Sequence, residues 1–133
     1  MIEKLNIKLL EEGFDTQFDN DGVYIPKYNI DIIYENTSFI IQPSDSDPVV
    51  LNSLDETIIY IKDLSYSSDF SEEMDKNNFL YQKESPRFFS IGNNRINIVD
   101  GRFFLKDENG ETNIYVNIPS VINAIQSKFL GEK

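Results

Sequence analysis

Carboxylates are the side chains with which this sequence could do chemistry. There are twenty-three of them in 133 residues, against twelve lysines and arginines, and there is no histidine and no cysteine. Nucleophilic catalysis by a Ser–His or Cys–His pair is therefore excluded, because the base that activates the nucleophile is missing. A Ser–Lys site or a carboxylate pair flanking a glycosidic bond is chemically allowed. With so many acids, however, some pair always falls at a suitable spacing, and spacing alone selects none. A metal site would have to be all-oxygen. Asp19-x-Asp21-Gly22 overlays part of a calcium loop, but Gln17 stands at the first ligand position and Tyr28 at the last. Asp107-Glu108-Asn109-Gly110-Glu111 suits a hairpin tip better than a cation cage. No Gly-rich phosphate loop of either common spacing is present. The expectation is a chain with no catalytic residues, cofactor or metal, and not an enzyme.

The acids instead suggest a surface. Net charge is −11, and the first fifty residues carry three basic and ten acidic side chains. Such a chain repels nucleic acid and anionic membrane as a whole. It suits a protein partner with a basic surface, including one that ordinarily holds nucleic acid. The expected partner-binding residues are Glu11, Glu12, Asp15, Asp19, Asp21, Asp31 and Glu35, a spaced negative surface in the N-terminal half. The bland alternative is that acidity only maintains solubility. Arg87-Phe88-Phe89 and Arg102-Phe103-Phe104 are basic–aromatic groups of a kind that can bind single strands from a sheet. Strand alternation sends one Phe of each pair inward, so core packing with surface arginines is the simpler reading. Direct nucleic-acid binding is not expected.

The elements that must position these residues are legible from spacing. Ile2, Leu5, Leu9 and Leu10 form a helical stripe closed by Gly13. Asp19-Asn20-Asp21-Gly22 is a turn. Short strands follow at 23–25, 29–34, 39–42 and 49–51, with Pro43–Pro48 as a loop. Ser53-Leu54-Asp55-Glu56 is a capping box opening a helix to about Asp63. Residues 65–78 read as a serine-rich linker, with Asp69 and Glu72 capping a short helix that carries Phe70 and Met74. Strands are expected at 79–81 and 87–91, with two-residue turns at Asn93-Asn94, Asp100-Gly101 and Asn109-Gly110. Ile114, Val116 and Ile118 alternate with polar residues and predict a half-buried strand. Pro119 opens the last helix, with Val121, Ile122, Ile125 and Phe129 on its apolar side and Gly131 at its end.

Two stretches resemble each other. Val23–Ile33 lies over Phe89–Val99 without a gap, pairing Ile30 and Ile32 with Ile96 and Ile98. Phe39-Ile40-Ile41 then matches Phe103-Phe104-Leu105. The fold predicted is α+β, an antiparallel sheet with helices packed on it. It would be one domain over residues 1–133 built from two similar hairpin-and-helix halves, about 1–64 and 70–133. The order of elements is loosely similar to that of the small acidic chaperones of type III secretion; no sequence motif carries the likeness, and the family is not assigned on it.

No apolar stretch has the length of a membrane span, and none follows Met1 as a signal sequence would, so a cytoplasmic protein is expected. Heavy use of Ile and Asn points to AT-rich coding, which phages, plasmids and low-GC bacteria share. The functional expectation is a small acidic binding protein that inhibits or shields a macromolecular partner, an anti-CRISPR-like or anti-restriction antagonist being the concrete form. The alternative is a secretion chaperone or immunity protein that wraps a cognate effector. A homodimer is compatible with either.

Overall fold

A computed structural model describes residues 1–44 and 46–130, with side chains for 1–44 and 46–127. Among these the order is α1 (Ile2–Glu11), β1 (Gln17–Phe18), β2 (Gly22–Ile25), β3 (Ile30–Glu35), β4 (Ser38–Gln42), β5 (Val49–Leu51), α2 (Leu54–Lys76), β6 (Gln82–Ser85), β7 (Phe88–Ile91), β8 (Asn94–Val99), β9 (Arg102–Lys106), β10 (Thr112–Tyr115) and α3 (Ile118–Leu130). The strands make two five-stranded antiparallel sheets, β1-β2-β3-β4-β5 and β10-β9-β8-β7-β6. Each is a meander in which sequence neighbours pair, and the chain is α+β. It divides into two compact units, Met1–Ile61 and Lys62–Lys133.

In the first unit, Leu5 and Leu9 are the buried side of α1. The helix ends as its leucine stripe ends: Gly13 takes φ +93°, its N–H donates to Leu10 O, and Phe14 N–H donates to Leu9 O. That pair of bonds is a Schellman closure, which needs a residue tolerant of positive φ. Val23, Ile25, Ile30, Ile32, Phe39 and Ile41 are the buried face of the sheet, alternating with outward residues as a period of two requires. In the second unit, Phe70 and Met74 of α2, Val121, Ile122 and Ile125 of α3, and Phe89, Ile91, Ile96, Ile98, Phe103 and Leu105 of the sheet form one apolar core.

The two units share several local features. Asn78 (φ +59°) closes α2 with the same bonds, its own N–H to Asp75 O and Phe79 N–H to Met74 O. Ser53 Oγ accepts the Glu56 N–H at 3.0 Å, and Asn117 Oδ1 accepts the Ser120 N–H at 2.9 Å, so α2 and α3 are capped alike. The β3–β4 hairpin turns on Asn36 and Thr37 (φ +53° and +61°), the β8–β9 hairpin on Asp100 and Gly101 (φ +51° and +75°).

Register corrects the gapless alignment. Ile32 lies opposite Val23, and Ile96 lies opposite Phe89. The counterpart of Ile32 is therefore Ile96, not Ile98, because the β2–β3 connection spans 26–29 while the β7–β8 turn is Gly92-Asn93 alone. A slip of two residues leaves every side chain on its original face, so alternation could not detect it.

Other expectations change as well. Residues 65–76 are not a linker but the second half of a continuous 23-residue helix. Burial of Phe70 and Met74 outweighs the weak helix propensity of the serines, and Ser65 Oγ is absorbed by Lys62 O. Residues 79–81 are not a strand; pairing starts at Gln82. The tip at 107–111 is a five-residue loop, since Lys106 pairs with Thr112. Ile114 and Val116 do not line the core: they are 56% and 70% exposed. Asp45, Gly131 and the Phe129 side chain lie outside the described residues.

Two stability predictions follow from this packing. Ile32 and Ile98 are fully buried, and truncating either to Ala should cost about 2–5 kcal/mol in denaturant unfolding. A loss under about 0.5 kcal/mol at both would be incompatible with the observed inner face. Thr37, a β-branched residue at positive φ, should behave oppositely: Thr37→Gly should stabilise by about 0.5–1 kcal/mol, because the left-handed backbone costs a branched side chain more than it costs glycine.

Candidate functional site

The most buried charge in the described chain is structural. Asp63 on α2 has a side chain only 1% exposed. Its carboxylate accepts the Asp100 N–H at 2.9 Å, the Gly101 N–H at 2.8 Å and an Arg87 guanidinium N–H at 3.2 Å. One acid thus fastens the β8–β9 turn and the start of β7 to the helix, and its two oxygens are occupied by turn amides and Arg87 rather than aimed at open space. Near the end of the same helix, burial, and then the hydrogen bond from its hydroxyl to Asp75, raise the Tyr81 phenol above its ordinary pKa.

The seven acids singled out from the sequence are all exposed. Glu11 and Glu12 sit at the end of α1, with Glu11 4.0 Å from the Lys8 ammonium, and Asp15 follows in the loop. Asp19 and Asp21 lie in the β1–β2 turn, where Asp19 Oδ1 accepts the Asp21 and Gly22 N–H groups at 2.8 and 2.9 Å. Asp107 Oδ1 does the same for Asn109 and Glu111 at the other candidate calcium loop. Glu35 ends β3, beside the β3–β4 turn, at the end of the sheet that also carries the β1–β2 turn. Asp15 leads into the other end. Asp31 stands on the outer face. The seven are therefore not one cluster: Glu11 and Glu12 lie at the end of α1, and the other five are distributed over the two ends and the outer face of the first sheet.

The outer faces carry the features that sequence spacing missed. On the first sheet, cross-strand register lines up Gln17–Tyr24–Asp31–Gln42, then Gly22–Ile33–Ile40–Val50, then Glu35–Ser38. Ile33 and Val50 are 39% and 59% exposed. Glycine is required at position 22: a Cβ there would fall 2.6 Å from Ile32 O. On the second sheet the matching rows are Gln82–Ser90–Arg95–Lys106–Thr112, then Phe88–Asn97–Phe104–Ile114, then Val99–Arg102. Both faces thus have an apolar row across the strands. Their charge is opposite: Arg95 stands where the first sheet has Asp31, Lys106 where it has Gln42, and Arg102 where it has Ser38.

The basic–aromatic groups split as strand alternation dictates. Phe89 and Phe103 enter the core, and Phe88 and Phe104 face outward in one row. Arg95 donates to Ser90 Oγ at 2.9 Å, which in turn donates to Glu84 at 2.9 Å, while Arg102 lies 3.7 Å from Asp100. Among the described residues, no group of three or more acids sits close enough to hold a metal ion, and no helix is long and apolar enough to cross a membrane. No family model, curated protein or solved structure matches this chain.

The Asp63 cluster can be tested directly. Asp63→Ala leaves two turn amides without their acceptor and removes one hydrogen bond of Arg87, and should cost about 2–4 kcal/mol of stability. Asp63→Asn keeps one acceptor oxygen and should cost less. Equal stability of wild type and Asp63→Ala in urea unfolding would contradict this role.

Proposed function

We propose that this chain is a non-catalytic binding protein that occupies a basic surface of a macromolecular partner, with the first unit as the contacting part. The supporting observation is the charge division. Residues 1–61 hold three basic and twelve acidic side chains, a balance of −9, whereas residues 62–133 hold nine and eleven, a balance of −2. All seven singled-out carboxylates are exposed, so they can pair with partner Lys and Arg without a further desolvation of buried charge. Carboxylates spread over a sheet offer spaced negative charge, which is what a phosphate-binding surface accepts. A nucleic-acid-binding enzyme of a host, blocked by a phage or mobile-element protein, is the partner class this chemistry fits.

A second reading has its own observation. Exposed Ile114, half-buried Phe88 and Phe104, and exposed Val99 and Val116 offer apolar surface around the second sheet. Such surface suits a chaperone or immunity protein holding a cognate effector.

The charge reading is tested on Asp15, Asp19 and Asp21. Changing all three to Asn preserves the acceptor that Asp19 supplies to its turn and removes three charges. Against a nuclease that the protein inhibits, the triple variant should associate at least about tenfold more slowly at low salt. The difference should shrink as salt rises, because steering by opposite charge is screened over about 10 Å at 0.1 M. Asp107, Glu108 and Glu111 changed together provide the acidic control in the second unit and should matter less. Unchanged inhibition by the first triple variant across salt would move the assignment to the apolar reading.

A further inference from the structure

We infer that the outer face of the second sheet is a docking surface for the outer face of the first sheet of another copy of this chain. Arg95 and Lys106 are direct cross-strand partners on an outer face, and like charges placed opposite each other destabilise a sheet. Arg95 has partial relief through Ser90 and Glu84. Lys106 is in no ion pair among the described residues. Beside this pair runs the row Phe88–Asn97–Phe104–Ile114, with Ile114 56% exposed. A surface with an apolar row and an under-compensated pair of cations calls for an occupant with an apolar row and carboxylates.

The chain itself carries such an occupant. The outer face of the first sheet has Ile33, Ile40 and Val50 in a row, Asp31 in the adjoining row on one side and Glu35 on the other. Asp31 and Glu35 are exposed and have no ion pair among the described residues. Because both faces sit on meanders of the same order, their rows have the same cross-strand spacing of about 4.8 Å. Face-to-face packing at about 10 Å would set isoleucines and valine against phenylalanines and isoleucine, and carboxylates against Arg95, Lys106 and Arg102. Nucleic acid is the less favoured occupant because its phosphates would also have to approach a chain of net charge −11.

The contact is heterologous, since one copy gives its first sheet and the other its second, and each copy keeps one face of each kind. It does not depend on the proposed function, because it is tested on purified protein alone, with no other partner present. It does imply that self-association and capture of a basic partner compete for Asp31 and Glu35.

Two charge-reversed forms make the test. One carries Arg95→Glu and Lys106→Glu, the other Asp31→Lys and Glu35→Lys. All four residues are exposed, and circular dichroism and thermal unfolding verify that both forms stay folded. Lys106→Glu alone, which removes no hydrogen bond seen here, guards against damage at Arg95. Sedimentation velocity should show wild type at low salt moving above its 15.4 kDa monomer mass as concentration rises, and returning to monomer as salt rises. Each reversed form alone should associate at least about tenfold more weakly, and Lys106→Glu should fall between. An equimolar mixture of the two reversed forms should associate again, because each then meets faces of opposite sign. A wild type that stays monomeric at all concentrations, reversed forms that associate as well as wild type, or a mixture that fails to recover would each overturn the inference. Binding of a fluorescent single-stranded oligonucleotide by wild type, lost in the Arg95/Lys106 form and without any self-association, would overturn it in favour of nucleic acid.

Discussion

Burial of one face of a short-stranded antiparallel meander is the constraint on which both units rest. Strands of two to six residues cannot hold a sheet together by backbone bonds alone, and a meander is stable only with an apolar face under cover. In the second unit that cover is visible residue by residue: Phe70 and Met74 come from one helix, Val121, Ile122 and Ile125 from another. In the first unit Leu5 and Leu9 of α1 and Thr57, Ile58 and Ile61 of α2 are buried. The continuous helix α2 carries buried side chains in both units, Thr57, Ile58 and Ile61 in the first and Phe70 and Met74 in the second, although Ser65, Ser67, Ser68 and Ser71 look like a linker.

The same constraint separates what was legible in the sequence from what was not. Alternation read at Ile30 and Ile32, and at Ile96 and Ile98, correctly placed four inward residues. The Ser53 cap was legible because its partner is local. Register was not legible, since it depends on connection length and the signal repeats every two residues; Ile98 and Ile96 satisfy the pattern equally. Nor was the face of Ile114. An alternating strand states that one set is inside without saying which, and here Tyr115, opposite Phe103, is the inward residue. For the candidate surfaces, the seven acids were recognisable as solvent-facing from charge alone. The rows to which they and the arginines belong exist only once strands are paired.

Asp63 shows a different limit. From sequence it was merely the last residue of a helix, one acid among many. In the fold it supplies the acceptors for a tight turn 37 and 38 residues away in sequence. Asp63 is the one buried carboxylate among the described residues, and in the first unit's turn at Asn36 and Thr37 the Thr37 Oγ1 donates to Asn36 O. The two hairpins share a backbone conformation but not the means of holding it. The two units thus share an alternating buried inner face while their polar fastenings and outer charges differ.

The edges of the sheets bear on how this protein can meet another. An exposed strand edge invites pairing with any extended chain, and such edges are usually blunted. Here β1 has two residues and β5 three, too short to template much pairing. The edge strand β6 is Gln-Lys-Glu-Ser, fully exposed, with a register shift between Lys83 and Ser85. Only β10, with Ile114 and Tyr115, is an edge of four residues with apolar content, and the acidic loop 107–111 precedes it. Three of four edges thus discourage strand addition, whereas Ile33, Val50, Val99 and Ile114 leave apolar area on the faces. Contact through faces reads charge at defined cross-strand positions, and it is there that the two repeats diverge in sign. A partner distinguishing one face from the other would do so by Asp31 against Arg95, a difference of two charges at one position of a shared scaffold.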